Sequence, residues 1–122
     1  TNMFDKAYLK SIKFGIFMVV DLTKKIDKIF HDRVRLGIMS TLIASEHDTS
    51  FTDLVKQLEV TRGNLSVHIK VLESNQFVKT KKAFVDNKPR TTIYITSKGR
   101  KAFEQYINIL EEIIKGVSNH HQ

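Results

Sequence analysis

The chain has 122 residues, 41% hydrophobic and 27% charged, with no cysteine and a formal net charge of +7. That length holds one hydrophobic core rather than two, and the composition excludes a disordered polymer. The missing cysteine excludes disulfides, thiolate catalysis and cysteine-based zinc or iron–sulfur centres. The longest apolar run, Phe14 to Val20, falls far short of the roughly 20 residues a spanning helix needs. No targeting segment, no membrane partner and a cytoplasmic location are therefore expected. A single proline and five glycines leave few chain breaks, which predicts long helices.

From Phe4 to Phe30 the apolar residues Phe4, Tyr8, Ile12, Ile16, Val19, Leu22, Ile26 and Ile29 recur at three- and four-residue steps, the period of one helix face. Asp21 and Asp27 can each cap a new helix, so the run is one helix or two with a bend. The additional apolar residues Phe14, Phe17 and Met18 exceed what one small core needs and point to a second subunit. A further helix is predicted from an Asp32 N-cap to about Ser45, buried through Val34, Ile38, Leu42 and Ile43. Glu46-His47-Asp48-Thr49 then has loop chemistry. Ser50 or Thr52 caps a short helix with Phe51, Leu54, Val55 and Leu58 inward. After a break at Glu59-Val60, Thr61 caps a helix to about Ser74, buried through Leu65, Ile69 and Leu72.

The period then changes. Phe77–Val85 and Thr91–Thr96 are rich in β-branched and aromatic residues, and Asp86-Asn87-Lys88-Pro89 between them is turn chemistry, so a β-hairpin is predicted. Thr96 or Ser97 caps a last helix. Phe103, Tyr106, Leu110, Ile113 and Val117 on it follow the alternating three-four spacing of a helix-pairing seam, with Ile107 and Ile114 alongside.

Charge is distributed unevenly over these elements. Residues 61–101 hold ten lysines and arginines against only Glu73 and Asp86. A basic block on a small domain makes one surface suited to a polyanion. It coincides with two short helices joined by a tight turn, a helix-turn-helix, followed directly by the hairpin.

At this point the chain resembles a known family. His31-x-Arg33-x-Arg35-Leu36-x-Ile38, Phe51-x-x-Leu54, Leu58 and Thr61-Arg62-Gly63-Asn64-Leu65-Ser66-x-His68-Ile69-x-x-Leu72-Glu73 carry the first part of the resemblance. Lys82, Pro89-Arg90-Thr91-Thr92 and Thr96-x-x-Gly99-Arg100 complete it. Together, from Lys25 to about Ile114, they are similar to the winged-helix DNA-binding domains of MarR- and ArsR-type prokaryotic regulators. The resemblance implies a mainly α fold with a small β-hairpin wing: a winged helix-turn-helix with extra N- and C-terminal dimerisation helices. Residues 1–30 and 98–122 would supply dimerisation helices and a tail, and residues 31–97 the DNA-binding domain.

The residues support that reading physically. With Leu65 inward, a rotation of 100° per residue places Ile69 and Leu72 beside it and Gly63, Val67, Lys70 and Ser74 opposite, with Ser66 on the flank. Arg62 and Asn64 occupy the first turn, where arginine can pair with guanine and asparagine with adenine. Thr61, Arg62, Gly63, Asn64, Ser66, Val67 and Lys70 are thus the candidate DNA contacts of the helix. In the wing, Lys79 and Lys81 share one strand face and Lys82 takes the other, while Lys88 and Arg90 flank the turn. The lysines suit phosphates and the arginine suits a narrow minor groove. Ser97, Lys98 and Arg100 are a further phosphate candidate. The candidate dimer interface is Tyr8, Ile12, Ile16, Val19, Phe103, Tyr106, Ile107, Leu110, Ile113, Ile114 and Val117.

His68 and His31 suit structural hydrogen bonding. Neither His120-His121 nor Glu46-His47-Asp48 makes a convincing metal site, and no cofactor is expected. No nucleophile–base pair, paired-carboxylate site or glycine-rich phosphate loop can be argued, so no enzyme is expected. The expected partners are double-stranded DNA with a pseudo-palindromic operator, a second copy of the chain, and an effector the sequence does not identify. MarR-like relatives often bind small ligands near the dimer helices, which draws attention to Phe14, Phe17 and Tyr106. The competing expectation is a winged-helix module whose basic face docks an acidic protein.

Overall fold

The computed structural model describes residues 5–46 and 48–119. The elements are α1 (Asp5–Thr23), α2 (Arg33–Ala44), β1 (Asp48–Ser50), α3 (Phe51–Leu58), α4 (Arg62–Ser74), β2 (Val78–Val85), β3 (Lys88–Ile95) and α5 (Ser97–Asn119). They divide into two compact units, residues 28–104 and residues 1–27 with 105–122.

The larger unit is a winged helix-turn-helix, and its helices begin where side-chain caps are available. Asp32 Oδ1 accepts from the Val34 and Arg35 amides at 2.9 and 3.0 Å. Ser50 Oγ accepts from Asp53 N at 3.1 Å, and Thr61 Oγ1 from Asn64 N at 3.0 Å. Each satisfies an amide that the first helical turn leaves unpaired. Helix α3 ends at Glu59 in the left-handed region (φ 54°), which reverses the chain towards α4 within three residues. Thr96 begins α5, its Oγ1 accepting from Gly99 N at 2.9 Å.

The sheet has the order β1-β3-β2, antiparallel throughout. Two sequence expectations change here. Asp48 and Thr49 are not loop: with Ser50 they form a short strand opposite Thr92–Tyr94. The turn is also tighter than the predicted four residues. Only Asp86 and Asn87 lie outside the strands, with φ of 54° and 62°, as a type I′ hairpin turn requires. Lys88 and Pro89 belong to β3, paired with Val85 and Phe84. Next to a two-residue turn, the Phe84–Pro89 pair exchanges no backbone hydrogen bonds. The proline nitrogen therefore faces away from β2, towards an edge that β1 does not reach.

The core of this unit draws on α2, α3, α4, β3 and the segment before α2. Phe30, Ile38, Met39, Leu42, Leu54, Leu65, Leu72 and Ile93 are fully buried. Met39 rather than Ile43 completes the buried side of α2; Ile43 is half-buried. Phe30, just ahead of the Asp32 cap, stacks at 5.0 Å on Phe77 and meets Phe103 edge-on at 5.3 Å. Gly99 admits close approach: a Cβ there would lie 2.1 Å from the Phe77 carbonyl oxygen. That same oxygen accepts from Thr96 N at 3.0 Å, so the backbone is held against it.

In the smaller unit α1 is a single helix ending at Thr23. Neither Asp21 nor Asp27 starts a second one, because residues 24–26 close turns onto the carbonyls of Asp21, Leu22 and Thr23. Gly15 is buried, and a Cβ on Gly116 would lie 2.9 Å from Val19 Cγ2. Phe14, Ile16, Phe17, Met18, Val20, Ile114 and Val117 are nevertheless exposed. Phe4 lies outside the described residues, as does the side chain of Tyr8. No described helix is long and apolar enough to cross a membrane.

Candidate nucleic-acid interface

Helix α4 has the two faces its sequence predicts. Leu65, Ile69 and Leu72 are buried, whereas Gly63, Val67, Lys70 and Ser74 are exposed and Ser66 is intermediate. Val67 is 59% exposed, an apolar side chain held out among polar ones. Nothing lies within 4 Å of a Cβ built on Gly63, so its open side faces solvent.

The orientation of α4 is fixed by a polar cluster at its inner flank. Arg35 donates through Nε to the Ile29 carbonyl at 2.6 Å and through Nη1 to His68 Nδ1 at 2.9 Å. Asp32 Oδ1 stands 3.7 Å from the same Nδ1. The backbone N–H of Arg35 holds the Asp32 carboxyl below the usual carboxylate range against the opposing effect of burial; the Arg35 charge, His68 and the Val34 amide add to the lowering. The cap of α2 and helix α4 are thus tied through one arginine. His68 makes a hydrogen bond of the kind expected of it, with Arg35.

Between α4 and the wing runs a cleft of about 470 Å³, lined on one side by Arg62, Ser66 and Lys70 and on the other by Thr80, Lys82 and Thr91. Glu73 closes its inner end, accepting from Thr80 Oγ1 at 3.0 Å, and so fastens β2 to α4. A second hollow, on the β3 edge, is bounded by Thr52 and Arg62 and by Lys88, Pro89 and Arg90. Phe51, Arg62 and Thr91 line both, and Arg62 is the cation among them. Its guanidinium lies 4.8 Å from the Phe51 ring centroid, and Nη1 donates to Thr52 Oγ1 at 3.5 Å, so it rests on the start of α3. Phe51 and Thr52 as its seat were not foreseen; only the fold brings them beside α4.

The strand register sorts the wing cations. Residues paired across the ladder share a face, so Lys79, Lys81, Lys88 and Arg90 lie on one face with Thr92 and Tyr94. Lys82 lies on the other, with Thr80, Thr91 and Ile93, the face that meets α4. Lys88 and Arg90 do not sit symmetrically about the turn: Lys88 follows it directly, and Arg90 stands opposite Ala83. At the start of α5, Lys98 Nζ lies 3.4 Å from Gln76 Oε1 and 5.8 Å from the Phe77 ring centroid, and Arg100 pairs with Glu104 at 4.0 Å.

Of the proposed interface residues, Phe103 and Tyr106 are buried within the single chain, and burial raises the Tyr106 phenol pKa. Ile12, Val19, Ile107, Leu110 and Ile113 are half-buried; Ile16, Ile114 and Val117 are exposed. His47, His120 and His121 lie outside the described residues. Among the described residues no three His, Asp or Glu side chains gather as metal ligands.

A helix-turn-helix whose outward face adjoins a basic two-stranded wing defines a winged-helix protein of the nucleic-acid-binding class. The chain belongs to the winged helix DNA-binding domain family, which it matches over residues 34–114. An uncharacterised protein of Methanocaldococcus jannaschii is 40% identical over 90 residues, covering 74% of this chain and 97% of the relative. The structure of a transcriptional regulator homologue from Pyrococcus horikoshii superposes with a TM-score of 0.73 at 38% identity, covering 80% of this chain and 97% of that one. A MarR-family regulator from Silicibacter pomeroyi shares the fold at 16% identity and a TM-score of 0.52, over 95% of this chain and 74% of its own.

Proposed function

We propose that the protein is a transcriptional regulator that binds duplex DNA sequence-specifically as a homodimer. Helix α4 enters the major groove, where Arg62 and Asn64 contact base edges and Val67 meets a thymine methyl. The wing lies at the adjacent minor groove, with Lys79, Lys81, Lys82, Lys88 and Arg90 holding phosphates and groove walls. Residues 31–97 are the DNA-binding domain, and residues 1–30 and 98–122 join two copies. The observation that carries the reading is the cleft in which the exposed face of α4 and the inner wing face converge with Arg62, Lys70 and Lys82 around it.

The homodimer rests on the smaller unit. Phe14, Ile16, Phe17, Met18, Val20, Ile114 and Val117 are exposed apolar side chains on the two helices, and a second copy would take them out of water. Two-fold symmetry makes the operator pseudo-palindromic, with half-site centres about one helical turn or a multiple apart.

A salt titration of duplex binding tests the function. Contacts to six to ten phosphates give a log–log slope of roughly −5 to −9. A slope near zero sinks the DNA reading and favours a winged-helix module for an acidic protein.

A further inference from the structure

The wing tip carries a feature that phosphate binding does not use. Along the face that meets α4, β2 places Val78, Thr80, Lys82 and Phe84 in succession, opposite Ile95, Ile93, Thr91 and Pro89. Burial falls along this row: Val78 is in the core, Thr80 is half-buried against Glu73, Lys82 stands in the cleft, and Phe84 is 79% exposed. No other large hydrophobic side chain among the described residues is as exposed. Its cross-strand neighbour is Pro89, in the non-hydrogen-bonded pair where facing side chains approach closest. Beyond them lie only the Val85–Lys88 pair and the two-residue turn.

The surroundings determine what such a tip can meet. Lys82 shares the tip's face of the ladder, and Lys81, Lys88 and Arg90 lie on the opposite face of the same two strands, with Asp86 the only acid in the hairpin. An apolar pocket on another protein would have to accept those cations with the ring. A duplex presents phosphates to the cations and, between them, the apolar floor of the minor groove. Minor-groove proteins use this combination, inserting Phe or Pro at a base step while basic residues hold the flanking backbone.

We propose that Phe84, backed by Pro89, is a wedge that enters the minor groove of the bound duplex, partly unstacks one base step and kinks the DNA there. This rests on the DNA-binding reading above and adds indirect readout to it: a flexible pyrimidine–purine step is favoured under the wing, where no side chain reads bases.

The test uses the full chain and a duplex that the wild type selects from a random pool, end-labelled with donor and acceptor dyes. Binding is followed by anisotropy over a range of salt concentrations, and bending by energy transfer. F84A is expected to bind about tenfold more weakly, with an unchanged salt slope and a duplex as straight as free DNA. F84L should recover most of the affinity and the bend. Since Phe84 is already exposed, neither variant should alter the melting curve. Unchanged affinity and bend in F84A overturn the wedge while leaving DNA binding intact. A loss accompanied by a shallower salt slope also overturns it, because the side chain then acts through the placement of cations. If the wild type selects no duplex and shows no salt dependence, the DNA-binding reading itself falls and the wedge with it.

Discussion

The two units of this chain use apolar residues in opposite ways. Residues 28–104 enclose most of theirs: Phe30, Ile38, Met39, Leu42, Leu54, Leu65, Leu72 and Ile93 have no accessible surface, and only Val67, Phe84 and Val85 stand out among Arg62, Lys70 and the wing lysines. The helices of the smaller unit do the reverse, holding Phe14 and Phe17 out at 63% and 66% exposure. Net charge follows the same division, with the ten cations of residues 61–101 on the first unit and near balance elsewhere. On the proposed function, a surface that meets a polyanion repels its own copy, whereas an apolar and nearly neutral one can join two copies. Separating the two surfaces along the chain lets one polypeptide carry both.

The sharpest way to break the enclosed unit is at its closest backbone contact. Gly99→Ala sets a methyl 2.1 Å from the Phe77 carbonyl oxygen, where backbone rather than a yielding side chain stands in the way. We expect a loss of about 3 kcal/mol in stability, measured by urea denaturation. The open unit should respond differently. Phe14→Lys with Phe17→Lys replaces two exposed rings with charges and should halve the mass in sedimentation equilibrium. The unfolding midpoint of a Trp-free core, followed by far-ultraviolet circular dichroism, should show the winged unit still folded. A monomeric wild type, or a double variant of unchanged mass, removes the smaller unit as the site of association.

What was legible in the sequence was local. Thr61 followed by Leu65, Ile69 and Leu72 marks the start and buried face of α4 without reference to the rest of the chain, and the Asp32 and Ser50 caps work the same way. What escaped was set by distant partners. Asp48–Ser50 is too short to show any alternation and becomes a strand only because Thr92–Tyr94 lies beside it. Pro89 draws a sequence reading towards a four-residue turn, yet it fits in β3 because β1 stops short of it. The grouping of wing cations depends on register, which the turn length fixes; the tighter turn is what puts Arg90 opposite Ala83 and Phe84 opposite Pro89. Phe30 lay beside the helical stripe rather than on it, and its place between Phe77 and Phe103 follows only from tertiary packing.

Within the basic surface, individual cations should differ in kind. Arg62→Ala removes the cation that lines both hollows and should cost about 1–3 kcal/mol against the preferred duplex. It should discriminate less at one base step, as read by competition between duplexes that differ there. Because Arg62 rests on Phe51 and Thr52 in the free chain, Phe51→Leu should weaken the same discrimination less, by loosening the seat of the guanidinium. Equal weakening of all sequences by Arg62→Ala would reduce Arg62 to a phosphate contact.

The smallest effect concerns the cluster that orients α4. Asp32 accepts two amides at the head of α2 and has a depressed pKa, chiefly through the Arg35 amide. A carboxyl whose pKa is lower folded than unfolded contributes stability above its unfolded pKa, near 4, and loses it as pH falls through the folded value. Asp32→Ala should therefore cost about 1 kcal/mol at neutral pH. The gap between wild type and variant should narrow in acid, as the wild-type carboxyl protonates and its caps weaken. Urea midpoints for both proteins across the acid range measure that gap directly. A gap that stays constant would mean that the carboxylate charge is immaterial and that Asp32 acts only by filling space beside Arg35 and His68.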